Sequence, residues 1–175
     1  PFYYSKRLSS AALTLPSRGA ILSTQSMSRP RTAPPNRSNR LGIAPAAATG
    51  RGMLALVGFH RDDTDADYEY IAGKILGLRI FDDGSGVMNH TLSEAGGGLL
   101  LVSQFTLYGD ARKGRRPSYS GAMPPGPARE MFDRFIAHCR RLHPVVEQGV
   151  FGADMTVNLV NWGPVTILLD SGRLF

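Results

Sequence analysis

Apolar residues occur in short runs along the middle of the chain, and each run is bounded by glycine or polar residues. The runs at residues 53–59 (MLALVGF) and 99–102 (LLLV) are continuous, which is typical of strands buried on both faces. A third run, at residues 78–81, is followed by the turn sequence DDGSG and then by Val87 and Met88. The pattern therefore predicts two buried strands with a hairpin between them.

Two other segments show helical periodicity. In the first, Ile71 and Ile75 fall on one face, and Thr64 and Asp67 have the spacing of a capping box. The second follows the sequence PPGP, and its predicted buried face consists of Phe132, Phe135, Ile136, Cys139 and Leu142. We therefore expect one helix before and one helix after the strand at residues 99–102.

The C-terminal region combines a strand pattern with a break. Residues 155–161 alternate with period two and residues 165–170 are mainly apolar, which predicts two strands. Trp162, Gly163 and Pro164 separate them. Because proline cannot donate a backbone hydrogen bond, this break is a plain turn, a bulge or a cis peptide bond. With these strands, the sequence predicts a mixed α/β domain in which a small mixed sheet packs against two helices.

Charge is distributed unevenly over the 175 residues. The first 61 residues contain nine of the 20 basic residues and none of the 14 acidic residues. The remaining chain is slightly acidic, so the overall charge of +6 is weak evidence for nucleic-acid binding. No apolar run approaches the ~20 residues of a membrane-spanning helix. The single cysteine, Cys139, excludes an internal disulfide and suits a reducing compartment.

The N-terminal region divides into two parts. Residues 1–15 end in a loosely alternating apolar pattern that suits the first strand of a domain. Residues 16–50 are rich in serine, arginine, proline and alanine. Two interpretations of residues 16–50 remain, a low-complexity basic insertion and a segment similar to an organelle transit peptide. The main domain is expected to span residues 51–175.

Several familiar catalytic and cofactor motifs are absent from the sequence. It contains no HExxH, P-loop or GxSxG pattern, and the three glycines at 96–98 are too few for a nucleotide-binding fingerprint. The four histidines lie in predicted loops or near the second helix, where surface or internally hydrogen-bonded roles are usual. We therefore expect neither a metal nor a cofactor.

Polar side chains end the apolar run at 99–102 abruptly, with Ser103, Gln104 and Thr106 flanking Phe105. Such groups commonly satisfy the turn after a strand. Alternatively, Thr106 and neighbouring backbone N–H groups bind a developing oxyanion while Gln104 orients a substrate. Since no base is evident nearby, Thr106 would be a poor nucleophile, and the pattern indicates no catalytic triad.

A basic loop that contains a glycine follows this turn. Its four cations are Arg112, Lys113, Arg115 and Arg116. They form either a solvated loop or a set of contacts to the phosphates of a nucleic acid. A rigid strand that delivers polar groups next to a cationic loop suits an enzyme acting on a phosphate-bearing substrate.

Three segments together resemble the D-aminoacyl-tRNA deacylases. They are SQFTLYGDARKGRRPSYS at 103–120, GVFGADMTVNLVNWGPVT at 149–166 and LLD at 168–170. The signatures SQFT and NxGPVT occur in the family's order, and the resemblance extends over residues 50–171. Residues 6–15 resemble the family's first strand, which favours an insertion over a transit peptide for residues 16–50. Trp162 is a departure, because an acid is common there in the family.

The resemblance implies a three-layer β/β/α sandwich, with two stacked barrel-like sheets and two main helices on one side, assembled as a homodimer. It implies proofreading in translation: the ester joining a D-amino acid, or glycine, to the terminal adenosine of tRNA is hydrolysed without a cofactor. The implied partners are this charged tRNA and a second copy of the chain, with no membrane. The expected compartment is the cytoplasm, or an organelle because of the arginine- and serine-rich N-terminal region.

The resemblance also implies roles for individual residues. The residues implied to line the pocket are Ser103, Gln104, Phe105 and Thr106. Phe151 and Met155 fall where the family forms its adenosine pocket, and Arg7 would help to hold Gly163 and Pro164. That Gly-Pro pair is implied to be a cis elbow, inserted from the partner subunit, that rejects L-aminoacyl esters. The substrate's own 2′-hydroxyl is expected to assist hydrolysis.

An alternative function is a non-catalytic tRNA- or RNA-binding module that retains the fold. Such a module would bind tRNA through the basic loop with a steep salt dependence and leave the ester intact. The intact SQFT and GPVT sequences argue against this alternative.

Overall fold

The computed structural model describes residues 21–27, 47 and 49–174. In chain order the elements are β1 (Ile21–Met27), β2 (Gly52–Gly58), α1 (Asp65–Gly77), β3 (Phe81–Asp82), β4 (Met88–His90), β5 (Gly98–Ser103), a 3-10 helix (Phe105–Tyr108), α2 (Pro125–Leu142), β6 (Val146–Gln148) and β7 (Asn161–Leu169). Within these ranges no helix is both long enough and apolar enough to cross a bilayer.

The strands form one five-stranded sheet in the order β6-β5-β2-β1-β7 and one two-stranded sheet, β3-β4. In the large sheet, β5 is parallel to both β2 and β6, whereas β1 is antiparallel to β2 and β7. Met53 lies opposite Leu99 and Val57 opposite Ser103, so β2 and β5 end at the same edge. Ligands commonly bind at the carboxyl ends of parallel strands.

Alternate residues of the two central strands face the helices. From β2 these are Met53, Ala55 and Val57, and from β5 Leu99 and Leu101, each at most 1% exposed. They share one core with buried residues of both helices, namely Ile71, Ile75, Phe132, Phe135, Ile136 and Cys139. Because strand side chains alternate between faces, both helices pack on the same face of the sheet. The predicted mixed α/β fold is confirmed.

The start of α1 follows the predicted capping box. The Asp67 carboxylate accepts hydrogen bonds from the Thr64 backbone N–H at 2.8 Å and from the Thr64 hydroxyl at 2.9 Å. The Ser171 hydroxyl also donates to Asp67, at 2.8 Å. Burial opposes ionisation of Asp67, but hydrogen bonds from Thr64 and Ser171 outweigh it and lower the pKa of this carboxyl. The cap therefore also ties α1 to the C-terminal segment.

The predicted buried face of α2 is confirmed except at its last residue. Leu142 is 54% exposed, whereas His143, which follows the helix, is only 4% exposed. The chain leaves the helical path at this point, and the His143 Nε2 lies 2.9 Å from the Gly97 carbonyl oxygen. The hydrogen-bonded histidine therefore occupies the interior instead of Leu142.

The strand predictions require two corrections. β3 begins at Phe81 rather than at residue 78, because Leu78 still serves as the C-cap of α1. The prediction of separate strands at 155–161 and 165–170 is wrong, since one strand, β7, runs through a cis Gly163-Pro164 bond. A register shift against β1 between Gln25 and Met27 accommodates this stretch, and residues 153–160 have no regular secondary structure.

β1 lies within the segment that the composition predicts to be an insertion or a targeting sequence. It occupies an interior position in the sheet, between β2 and β7. Its pairing runs from Ile21 opposite Gly58 to Met27 opposite Gly52. The strand predicted at residues 1–15, including Arg7, lies outside the described residues. Part of the segment 16–50 therefore belongs to the sheet.

Candidate functional site

A cavity of about 650 Å³ opens where β2 and β5 end. Its walls come from the ends of both strands, from the first turn of α2 and from the segment 151–157 that follows β6. The volume lies within the roughly 300–1,000 Å³ typical of small-molecule sites. Its lining is mainly apolar, with polar groups contributed by Ser103, Gln104, Tyr119 and Asp154.

The SQFT sequence forms one corner of this cavity. Ser103 is the last residue of β5, and the Gln104 backbone N–H donates to the Val57 carbonyl at 2.7 Å, which turns the chain across the end of β2. Ser103, Gln104 and Phe105 line the cavity. Thr106 lies beside it, and its hydroxyl accepts a hydrogen bond from the Gln104 side-chain amide. The structure thus brings all four predicted residues to the same corner.

The 3-10 helix at Phe105–Tyr108 has backbone donors at its start. The first hydrogen bonds of this turn are donated by the N–H groups of Leu107 and Gly109 to the carbonyls of Gln104 and Thr106. Within the described chain, the N–H groups of Phe105 and Thr106 have no acceptor, as expected for the first turn of a short helix. Two N–H groups at a cavity corner can stabilise a developing oxyanion.

Thr106 is poorly arranged to act as a nucleophile. An amide N–H from Gln104 donates to its hydroxyl oxygen, and an amide cannot accept the hydroxyl proton. The carboxylate that lines the cavity belongs to Asp154, and in the described chain it makes no hydrogen bond to Thr106. The side chains at this corner can therefore orient a substrate, whereas the backbone N–H groups of Phe105 and Thr106 are the donors available for a developing negative charge.

Phe151 and Met155 line the cavity from the segment that follows β6. The Phe151 ring contacts the buried Phe132 ring, with 6.0 Å between the centroids. The Gly149 N–H donates to the Leu101 carbonyl at 2.8 Å and anchors this segment to β5. A Cβ atom at Gly149 would lie 3.0 Å from the Met155 sulfur, so the glycine makes room for this methionine.

The Gly163-Pro164 elbow does not line the cavity of its own chain. Both residues are exposed, their peptide bond is cis and Gly163 has φ +123°, a conformation that L side chains rarely adopt. The Asn161 side chain spans the elbow: its Oδ1 accepts from the Val165 N–H at 3.2 Å and its Nδ2 donates to the Thr166 hydroxyl at 3.3 Å. The polar residues of the NxGPVT signature therefore brace the elbow.

The four cations of the basic loop are not equivalent. Paired backbone hydrogen bonds of 2.8 Å between Asp110 and Ser118 close the loop. Arg112 pairs with Asp110 at 2.7 Å, and its hydrogen bonds lower the pKa of Asp110 to about 2. The other three, Lys113, Arg115 and Arg116, are exposed and form no ion pair with a described residue. None of the four lines the cavity.

Sequence reasoning missed several residues of the cavity. Tyr119 lines the cavity, and its ring packs edge-on against Phe105 with 5.1 Å between the centroids. Asp154 lies on the wall that also contains Phe151. An aromatic residue inside the polar sequence RPSYSG was the available signal for Tyr119. Nothing in the local pattern distinguishes Asp154 from any other exposed acid.

In the part of the chain that the structure describes, no group of three or more histidine, cysteine, aspartate or glutamate side chains is arranged to hold a metal ion. His60 and His143 are buried but have other partners. The Asp62 backbone N–H donates to the His60 Nδ1, and the His143 ring lies against Ser93 and Gly97. The described residues around the cavity therefore contribute backbone N–H groups, the Gln104 amide and aromatic rings rather than a cluster of metal ligands.

Known proteins are similar to this chain in sequence and in fold. The family model for D-Tyr-tRNA(Tyr) deacylase matches residues 43–170. The D-aminoacyl-tRNA deacylase of Kosmotoga olearia is 57% identical over 125 residues, which cover 71% of this chain and 83% of the relative. The D-aminoacyl-tRNA deacylase of Thermosipho africanus is 54% identical over 124 residues, with the same shares of 71% and 83%.

Two solved structures have a fold similar to that of this chain. The c-Myc DNA Unwinding Element Binding Protein has a TM-score of 0.72 at 31% identity, covering 86% of this chain and 97% of that chain. A probable eukaryotic D-amino acid tRNA deacylase has the same fold, with a TM-score of 0.68 at 20% identity over 86% of this chain and 98% of that chain. The chain therefore belongs to the D-Tyr-tRNA(Tyr) deacylase family of enzymes, as its SQFT and NxGPVT sequences predict.

Proposed function

We propose that this protein hydrolyses the ester bond between a D-amino acid, or glycine, and the terminal adenosine of tRNA, and releases the free amino acid and the tRNA. The observation that carries the proposal is the SQFT corner, where two N–H groups without an acceptor among the described residues lie beside a cavity of about 650 Å³ in a member of this family. An aminoacyl-adenosine end is of suitable size for such a cavity.

In the proposed reaction, the N–H groups of Phe105 and Thr106 stabilise the negative charge that develops on the ester carbonyl oxygen. Removing a donor of this kind typically costs about 10²- to 10³-fold in rate. Gln104 and Thr106, joined by their side-chain hydrogen bond, position the ester. Phe151 and Met155 contact the adenosine. The proton transfers are assisted by the neighbouring 2′-hydroxyl of the substrate, because the structure provides Thr106 with no basic partner among the described residues.

Chirality is proposed to be selected by rejection rather than by attraction. The Gly163-Pro164 elbow would enter the cavity of the partner subunit and clash with the side chain of an L-aminoacyl ester. Two observations support this arrangement. The elbow is exposed and lies outside its own chain's cavity. Apolar side chains close to it in the sequence are also exposed, namely Val160, Trp162 and Leu168, at 36–65%. Such a surface is typical of one that meets a partner.

A deacylation assay with both enantiomers tests the proposed function. D-Tyr-tRNA should be hydrolysed rapidly while L-Tyr-tRNA is spared. Hydrolysis of neither ester, or of both at the same rate, would contradict the proposal. The Pro164→Ala variant should hydrolyse L-Tyr-tRNA measurably, whereas Pro144→Ala, at an exposed proline after α2, should keep the discrimination of the wild type. The wild-type mass in solution should be that of a dimer of the 18.9 kDa chain.

The exposed cations of the basic loop favour one second candidate, a non-catalytic RNA-binding module. Lys113, Arg115 and Arg116 are available for phosphate contacts whether or not the ester is cleaved. The same assay separates the two functions, because a binding module would retain D-Tyr-tRNA with its ester intact.

A further inference from the structure

Arg129 extends from the second turn of α2 to the loop that follows β6. Its guanidinium lies over the Phe151 ring, with 4.9 Å between Cζ and the ring centroid. Its Nη2 also donates to the Phe151 backbone carbonyl, at 3.3 Å. No acidic side chain among the described residues pairs with Arg129. One exposed arginine therefore contacts both the ring and the backbone of a cavity residue.

The Phe151 ring also contacts a fixed neighbour, Phe132. That ring is 1% exposed and belongs to the core, at 45° to Phe151. Phe132 lies three residues after Arg129 on α2, so both contacts come from adjacent positions of one helix face. The helix thus restricts the orientation of Phe151 through a buried ring and a cation.

The loop that carries Phe151 is anchored to β5 by the bond from the Gly149 N–H to the Leu101 carbonyl and then turns sharply. Gly152 has φ +75°, and the Ala153 N–H donates to the Val150 carbonyl at 3.2 Å, which closes a tight turn. Beyond it, residues 153–160 have no regular secondary structure. Among the described residues, the bond from Arg129 to the Phe151 carbonyl is the hydrogen bond that joins this turn to α2. Arg129 therefore links this cavity wall to α2, in addition to the anchor of Gly149 on β5.

We propose that Arg129 is a positioning residue for the nucleoside part of the site. It holds the Phe151 ring in the orientation that contacts the terminal adenosine, and acts through Phe151 without touching the reacting ester. This inference rests on the proposed function, in which Phe151 contacts adenosine. It assigns to Arg129 a role in substrate affinity and not in the chemical step.

A direct contact between Arg129 and a tRNA phosphate is the competing explanation, because the guanidinium is exposed. The two explanations differ for a substrate without phosphates, the D-tyrosyl ester of adenosine. If Arg129 positions Phe151, its loss weakens binding of this small ester and of D-Tyr-tRNA by the same factor. If Arg129 contacts phosphate, only D-Tyr-tRNA is affected.

The experiment compares Arg129→Ala and Arg129→Lys with Arg134→Ala as the matched control. Arg134 lies on the same helix, is exposed and pairs with Asp65 at 3.2 Å. In Arg129→Ala the KM should rise about five- to tenfold for both substrates, the range expected for an exposed cation–ring contact plus one hydrogen bond. Its kcat should change less than twofold. Arg129→Lys should recover part of the loss, and Arg134→Ala should match the wild type.

Binding of adenosine alone, followed by NMR titration, separates the inference from the proposed function. Arg129→Ala should weaken adenosine binding by the same factor as it raises KM. Adenosine binding to the wild type without hydrolysis of either ester would contradict the proposed function and leave the inference intact. Unchanged KM and adenosine affinity in Arg129→Ala, an effect confined to D-Tyr-tRNA, or a wild type that does not bind adenosine would overturn the inference.

Discussion

Asp170 follows β7 with a carboxylate that the fold buries without satisfying it completely. The residue is 5% exposed, and its Oδ1 has no hydrogen-bond partner among the described residues. Burial raises the pKa of Asp170, and hydrogen bonds from the backbone N–H groups of Gly172 and Arg173 offset this only in part. A buried, unpaired carboxylate oxygen is costly once it is charged.

This environment predicts that Asp170 destabilises the folded protein by an amount that depends on pH. Because the pKa of Asp170 is higher in the folded than in the unfolded chain, its contribution to stability is most favourable below the unfolded value of about 3.9. The contribution is lost as the pH rises through the folded value. Asp170→Asn should therefore raise the Tm at pH 7 by about 2–4 °C, the shift expected for about 1 kcal/mol in a chain of this size.

The gain from Asp170→Asn should shrink as the pH is lowered towards 3, where the wild-type carboxyl is also neutral. Thermal unfolding followed by circular dichroism at both pH values measures the effect. Asp133→Asn, on the exposed face of α2, is the control and should change the Tm at neither pH. A lower Tm for Asp170→Asn at pH 7 would show that the charged carboxylate stabilises the fold.

Individual residues of the site were predictable where they belong to a short sequence motif. Ser103, Gln104 and Phe105 line the cavity as the end of a buried strand and the family resemblance indicate. Tyr119 and Arg129 were not predictable in the same way. Each meets its partner only after the chain has folded, across 14 residues for Tyr119 and Phe105, and across 22 for Arg129 and Phe151.

The last residue of β2, Gly58, controls how closely the strand approaches the SQFT turn. A Cβ atom there would lie 3.0 Å from the Gln104 carbonyl oxygen and 3.0 Å from a carbon of the Tyr108 ring. Both neighbours belong to the turn whose N–H groups are proposed to contact the ester. The absence of a side chain at Gly58 is therefore part of the site.

Gly58→Ala should displace this turn by a few tenths of an ångström and lower kcat/KM for D-Tyr-tRNA about tenfold, since small displacements of reacting groups are costly. Gly121→Ala is the matched control, because its Cβ would meet only ordinary contacts of 3.6–3.7 Å with the His60 and Tyr108 rings. The deacylation assay and the Tm of both variants measure the outcome. Equal activity in the two variants would show that the missing side chain at Gly58 is not needed for hydrolysis.

Helices and strands differ in how well the local sequence predicts them. Both helices were predictable because caps and periodicity are local. Strand pairing is not local, and this explains the misplaced elements. The polar sequence ILSTQSM gives little sign of β1, whose partners are β2 and β7. The alternation at 155–161 predicts a strand, but pairing with β1 starts only at Asn161 and continues past Pro164.

At the scale of the whole molecule, the basic loop offers a nucleic acid fewer free cations than its sequence suggests. Arg112 is neutralised by Asp110, whose lowered pKa of about 2 keeps that pair ionised at neutral pH. Lys113, Arg115 and Arg116 remain available. If each contacts one phosphate, their joint replacement by alanine should reduce the slope of log K against log salt by about 2–3, since each contact contributes about 0.7–0.9.

Arg112→Ala is the internal control for this charge prediction. The slope of log K against log salt for Arg112→Ala should stay within about 0.5 of the wild-type value, because a paired arginine releases few counterions on binding. Affinities for tRNA over a series of salt concentrations measure both variants. An equal reduction of the slope in Arg112→Ala and in the triple variant would indicate that Arg112 leaves Asp110 to bind phosphate.

The position of β1 has a practical consequence for handling the protein. β7, which carries the Gly163-Pro164 elbow, joins the sheet through β1, with Leu22 opposite Leu169 and Met27 opposite Asn161. The family match begins only at residue 43. A shortened chain cloned from that boundary would retain the SQFT turn, the cavity wall and the elbow sequence, yet it would lack the strand that aligns β7. Removal of β1, by design or by a protease, therefore removes the strand that supports the elbow and leaves the elbow's sequence untouched.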